Sequence, residues 1–214
     1  MRLVGMMIVF SLFSYSSLEA QEPFRIDLFD KKFSDWRVKV FEGKADYQIR
    51  TGPKPMVTLS TEKSNYMLVR EFKDIDLRRY PHLSFEWMVE RHPKGGDLRK
   101  KEYDDQAAGL YVTLPFFPEL INYYSIGYVW ENQAPPGIYP SRWRSRIRYV
   151  VLRSGLADLN QWQTEHRNLL DDFKNIWDIT ILQKQKIVVS LAANSNNTQT
   201  SSMASFGQIR LEQH

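Results

Sequence analysis

The chain has 214 residues, 43% hydrophobic, 14% aromatic and 25% charged, which is the profile of one soluble globular domain able to bury a good core. The aromatic content excludes disorder, ten glycines and ten prolines exclude collagen-like or low-complexity character, and the lack of cysteine excludes disulfide scaffolds, cysteine-ligated metals and thiol catalysis. With 29 basic and 25 acidic residues the net charge is +4, too mild for a nucleic-acid protein unless that charge is locally concentrated.

Residues 1–20 read as an export signal. Arg2 supplies the positive start, Leu3 to Phe13 is an apolar stretch short for a bilayer span, and Ala20 is a small residue suited to cleavage. Residues 21–214 then form a single domain, placed outside the cytoplasm. Short apolar stretches recur along it, bounded by turn residues. Strands are predicted at Trp36–Phe41, Met56–Thr61, Tyr66–Phe72, Leu83–Val89, Leu110–Leu114, Ser125–Trp130, Ile147–Arg153, Ile187–Ala192 and Phe206–Leu211. Alternation is clearest where Leu83, Phe85, Trp87 and Val89 share one face. Helical spacing is confined to Leu169, Leu170, Phe173, Ile176 and Trp177, with Asp171 and Asp172 suited to the helix start. Many strands and one short helix predict an all-β, antiparallel β-sandwich of jelly-roll type.

Three stretches, Pro81–Trp87, Asp104–Val112 and Ser125–Trp130, together with Val151–Gly155, Trp162–Phe173 and Asn194–Ile209, resemble a bacterial family of exported proteins, domain of unknown function 3047. The resemblance spans nearly the whole mature chain and implies a sandwich like that of carbohydrate-binding modules, without an activity. Two positions depart from the pattern. Asn194-Ser195-Asn196-Asn197-Thr198 stands where the family carries Asp-x-Asp-Asn-Thr, and Gly109 stands where an arginine is expected.

The most unusual stretch is Arg142-Trp143-Arg144-Ser145-Arg146-Ile147-Arg148-Tyr149. If extended, it places Arg142, Arg144, Arg146 and Arg148 on one face, a ladder suited to carboxylates, sulfates or phosphates. The plain alternative is a solvated face that pairs with acids on neighbouring strands. A second group, Asp97, Glu102, Asp104 and Asp105, is joined by Glu165, Asp171 and Asp172 near the helix. Asp104 or Asp105 is a candidate ligand for a structural calcium, with neutral oxygens from Asn196 and Asn197. Here the plain reading assigns Asp171 or Asp172 to helix capping and Glu165 to pairing with Arg167. Among aromatics, Tyr123, Tyr124, Tyr139 and Trp143 are candidates for a sugar-stacking platform, with burial in the core or an interface the plain reading even for these, whereas Trp36, Phe85 and Trp87 belong to the core and Trp130 ends an apolar strand.

Catalytic motifs are sparse. No Gly-x-Ser-x-Gly elbow, His-Glu-x-x-His helix or phosphate loop occurs. Glu165-His166-Arg167 invites a uronate-lyase reading, but in a strand His166 faces opposite to its neighbours. The sequence therefore points to an exported, non-catalytic protein that binds a glycan or another anionic envelope component, through Arg142, Arg144, Arg146, Arg148, Tyr139 and Trp143. The alternatives are a polysaccharide lyase or hydrolase on the same scaffold, and a structural protein that contacts an envelope partner.

Overall fold

The computed structural model describes residues 25–26, 35–119 and 121–213; the predicted export segment lies outside them. Thirteen strands and one helix are described: β1 (Arg25–Ile26), β2 (Arg37–Glu42), β3 (Asp46–Arg50), β4 (Met56–Glu62), β5 (Asn65–Ile75), β6 (His82–Arg91), β7 (Ala108–Phe116), β8 (Asn122–Glu131), β9 (Gly137–Pro140), β10 (Ile147–Ser154), β11 (Gln163–Asn168), α1 (Leu169–Trp177), β12 (Gln185–Asn194) and β13 (Ser201–Glu212). They form two sheets. One has the order β11-β6-β13-β4-β3, with β1 also pairing β13; the other runs β2-β5-β12-β7-β8-β10-β9. This is the expected sandwich, antiparallel except at one place: β10 runs parallel to β8.

Period-two patterning builds the core. Leu83, Phe85, Trp87 and Val89 of β6 turn inward and are buried, while Glu86 on the same strand is exposed. They meet Leu110, Val112 and Leu114 of β7 and Ile126, Tyr128 and Trp130 of β8 across the sandwich. Phe85 and Trp87 pack edge to face at 5.1 Å, and Trp87 lies 5.7 Å from Trp130.

Helix α1 closes one end. Asn168 is its N-cap, with Oδ1 accepting from the N–H groups of Leu170 and Asp171. Leu169 and Phe173, one turn apart, bury the apolar stripe. The expectation that Asp171 or Asp172 caps the helix is corrected: Asp172 accepts instead from Tyr128 Oη at 2.7 Å and from Arg167. Arg167 being so engaged, Glu165 pairs with Arg153 and accepts from Trp87 Nε1 at 3.1 Å, rather than pairing with Arg167.

Candidate functional site

The seven-stranded sheet turns its outer face toward the segment between β6 and β7. Its middle register row runs Arg37, Val69, Ser190, Tyr111, Gly127, Tyr149 and Tyr139 from edge to edge. Leu98 and Ala134 pack onto this face beside Tyr111, Val129, Tyr149 and Val151, forming a second, smaller core. Buried Glu131 fastens the covering: its carboxylate accepts from the N–H groups of Leu98 (3.0 Å), Gln133 (2.6 Å) and Ala134 (2.9 Å). Burial pushes the Glu131 carboxyl above its ordinary pKa.

Asp104 and Asp105 lie where this covering meets the late loop, at 2% and 0% exposure. Asp105 is held by four donors. Asn194 Nδ2 (3.1 Å) and the Asn197 N–H (3.2 Å) reach Oδ1, while the Thr198 N–H (2.6 Å) and hydroxyl (2.7 Å) reach Oδ2. Asp104 accepts from Gln106 Nε2 through Oδ1, and its buried Oδ2 has no hydrogen-bond partner. Burial is the main cause that pushes its carboxyl up to about 7, with Asp105 and Glu131 adding repulsion and Arg142 opposing it. The Asp104 carbonyl accepts from Nδ2 of Asn194 (3.0 Å) and of Asn197 (2.9 Å).

That donor set bears on the calcium expectation. The amides present N–H groups to the acidic pair, not the neutral oxygens expected from Asn197, and Asn196 Nδ2 is directed to Glu42 at 2.8 Å. A cation needs lone pairs; those of Asp105 are directed at N–H and O–H donors, while the buried Asp104 Oδ2 and Asn196 Oδ1 have no hydrogen-bond partner. Asn194 accepts from the Gln106 N–H as well as donating to Asp105.

The arginine ladder is corrected by the structure. Residues 141–146 form the turn between β9 and β10, closed by bonds from the Ser141 N–H to the Ile147 carbonyl and from the Ile147 N–H to the Arg144 carbonyl, both 3.1 Å. Only Arg148 lies in a strand, so period-two geometry does not align the four side chains. Arg146 reaches Asn122 Oδ1 at 2.7 Å and lies over Tyr124; Arg148 lies 4.3 Å over Trp177. Arg142 and Arg144 are exposed and make no ion pair among the described residues. Between them Trp143 is 53% exposed, with Lys101 Nζ 4.4 Å above its ring. Tyr139 is half-buried against the second core and donates to the Pro135 carbonyl at 3.0 Å. Tyr124 packs on Trp177 at 4.8 Å, and Trp130 is buried.

The structure thus brings Lys101 onto Trp143, which stands between Arg142 and Arg144 in the turn, while Arg146 and Arg148 are engaged with Asn122, Tyr124 and Trp177. Sequence reasoning missed Lys101, Glu131, Tyr111 and Tyr149. Glu131 carried a signal, since it ends an apolar strand immediately before a turn.

Together the layers define an all-β sandwich whose larger sheet is roofed by a polar-stitched loop. The chain belongs to the family described as protein of unknown function DUF3047, whose model matches residues 34–210. No curated protein matches the sequence. Among solved structures, the chain is similar to the enzymatically active domain of bacteriophage CBA120 tailspike protein 4 (10% identity, TM-score 0.45), where 88% of this chain covers 21% of that one. It is similar to the family 11 carbohydrate-binding module of the cellulosomal cellulase Lic26A-Cel5E of Clostridium thermocellum (13% identity, TM-score 0.46, 89% and 94% covered). A third is the family 11 xylanase from Neocallimastix patriciarum (9% identity, TM-score 0.41, 81% and 89% covered). These likenesses concern the course of the backbone and carry no chemistry across.

Proposed function

We propose that this is an exported, non-catalytic protein that binds a glycan or another anionic component of the cell envelope through the turn carrying Arg142, Trp143 and Arg144. The observation that supports it is the exposed indole of Trp143, flanked by two arginines without ion-pair partners among the described residues and stacked beneath Lys101. Arginine forks match carboxylate and phosphate oxygens, while an aromatic face accepts the C–H edge of a sugar. The acidic groups raised by burial, Asp104 and Glu131, are enclosed rather than open to a substrate, which favours binding over proton transfer.

The test is binding of wild-type protein and the Arg142→Gln/Arg144→Gln variant to acidic polysaccharide and to lipopolysaccharide across a salt series. Wild-type binding should weaken steeply as the Debye length shrinks from about 10 Å at 0.1 M to about 3 Å at 1 M. The variant should bind more weakly at low salt and converge with wild type at high salt. Equal, salt-insensitive binding by both proteins removes the turn from the site.

A further inference from the structure

We propose that a groove on the outer face of the opposite, six-stranded sheet is a subsite for a carboxylate-bearing sugar unit, independent of the Arg142–Arg144 turn. The groove has a volume of about 480 Å³, within the usual span of small-ligand clefts. Arg50, Lys54, Met56, Glu86, Trp162 and Gly207 line it.

Its floor comes from a local irregularity. The pairing of β13 with β6 shifts register between Phe206 and Ile209, so Gly207 and Gln208 form a bulge. With no side chain at Gly207, two neighbours close over it. A Cβ there would stand 2.8 Å from Glu86 Oε2 and 3.2 Å from Trp162 Cζ3. The indole thus forms one wall without closing the cleft, and Trp162 remains 45% exposed. Arg50 ends β3, paired with Met56, and Lys54 lies in the turn that follows; neither has an ion pair among the described residues. Glu86 is held toward the bulge by the Gln208 N–H at 3.4 Å.

These groups select a ligand class. An exposed aromatic face attracts the weakly positive axial C–H groups of a pyranose through its quadrupole. Two cations against a single carboxylate leave the groove positive, which favours a carboxylate on that sugar, and the arginine fork can grip it bidentately. Glu86 is an acceptor for a ring hydroxyl. A bare phosphate would leave the indole unused, and a neutral sugar would leave both cations unused.

Site-resolved NMR of the full mature chain tests this, following the indole N–H resonance of Trp162, assigned with Trp162→Phe. The probes are a hexamer of galacturonic acid and its carboxyl-reduced, neutral counterpart. The expected result is a saturable shift with the acidic hexamer and affinity at least about tenfold weaker for the neutral one. Arg50→Gln/Lys54→Gln should lower the acidic hexamer to the level of the neutral one. Gly207→Ala, which crowds Glu86 and the Trp162 ring at the floor, should weaken the shift while the remaining spectrum keeps its native dispersion. The Arg142→Gln/Arg144→Gln variant should leave this titration unchanged, so failure of the turn and failure of the groove read out separately. An unmoved Trp162 resonance at millimolar hexamer, equal affinity for both probes, or loss of the shift in the Arg142/Arg144 variant would each overturn the proposal.

Discussion

The ring of Tyr111 lies directly across Gly127: a Cβ at Gly127 would stand 2.6 Å from Tyr111 Cε1. The same ring covers Gly109, whose Cβ would be 2.8 Å from Cε2. The tyrosine is flat against the sheet because its cross-strand neighbour and a residue two places back on its own strand lack side chains. Gly127→Ala should therefore destabilise the protein by about 1–3 kcal/mol, the usual cost of overpacking. In a Tyr111→Ala background the penalty should largely vanish, giving a clear coupling in a double-mutant cycle. Urea unfolding of the four proteins measures it; equal penalties in both backgrounds would show that the ring is not the obstacle.

Asp105 is the knot between the roofing segment and the late loop. Asp105→Ala leaves the half-buried N–H groups of Asn197 and Thr198 without their acceptor. A loss of about 3–5 kcal/mol is expected, as for breaking a buried charged hydrogen-bond network, readable as a lower urea midpoint. Because the same donors occupy the carboxylate, the melting temperature of the wild type should not respond to millimolar calcium or to chelator. A calcium-dependent rise would show binding to the native state and a rearranged loop.

Asp104 sets a pH dependence. Its carboxyl is raised from 3.8 to about 7 in the fold, so the native state holds a proton that the unfolded chain releases. The associated stability is present below pH 4 and lost as pH rises through 7. A shift of that size corresponds to at most about 4 kcal/mol. Asp104→Asn mimics the protonated form. It should match wild type near pH 4 and exceed it increasingly toward pH 8, measured as the difference between paired unfolding curves.

His92 acts in the opposite sense. Its ring is buried against Trp130, Nε2 faces the Gly155 carbonyl at 3.0 Å, and Nδ1 has no partner. Burial lowers its pKa from 6.5 to about 4, so its contribution is present above pH 6.5 and lost as pH falls through 4. The ring resonances should stay fixed from pH 8 to near 5 in an NMR titration. Movement centred near the ordinary histidine value would show an open ring.

All nine predicted strands are present, most of them because alternating apolar residues declare an inward face; Arg37–Glu42 is exposed throughout. Arg37–Glu42 and Ser201–Glu212 merely shift or extend beyond the predicted bounds. The four strands missed are of another kind, and one of them, Arg25–Ile26, has only two residues. Gln163–Asn168 is entirely polar, its inward residues being the ion-paired Glu165 and Arg167; Asp46–Arg50 is an exposed edge; Gly137–Pro140 is short and begins and ends in turn residues. The arginine run failed as a ladder because charge alternation was taken for strand periodicity, while Pro140 and Ser141 already marked a reversal. Trp143 was legible as a platform candidate, with burial the plainer expectation, and the structure leaves it exposed. Trp162 was not, since its environment depends on a bulge; the isolated Gly207 inside an apolar strand was the available sign.

The parallel run of β10 beside β8 has a consequence for how this protein can diversify. To place β10 there, the chain first passes outward to β9 at the sheet's rim and returns through residues 141–146. Strand β9 pairs with β10 alone, and the return segment is tied to β8 at its last residue, where the Arg146 carbonyl accepts from the Ser125 N–H at 2.9 Å and the guanidinium reaches Asn122. The stretch before it is an exchangeable cartridge: residues 142–145 can be swapped or lengthened while Arg146 keeps its hold on β8. Grafting a foreign turn between Ser141 and Arg146 is thus a route to new ligand preference without rebuilding the domain.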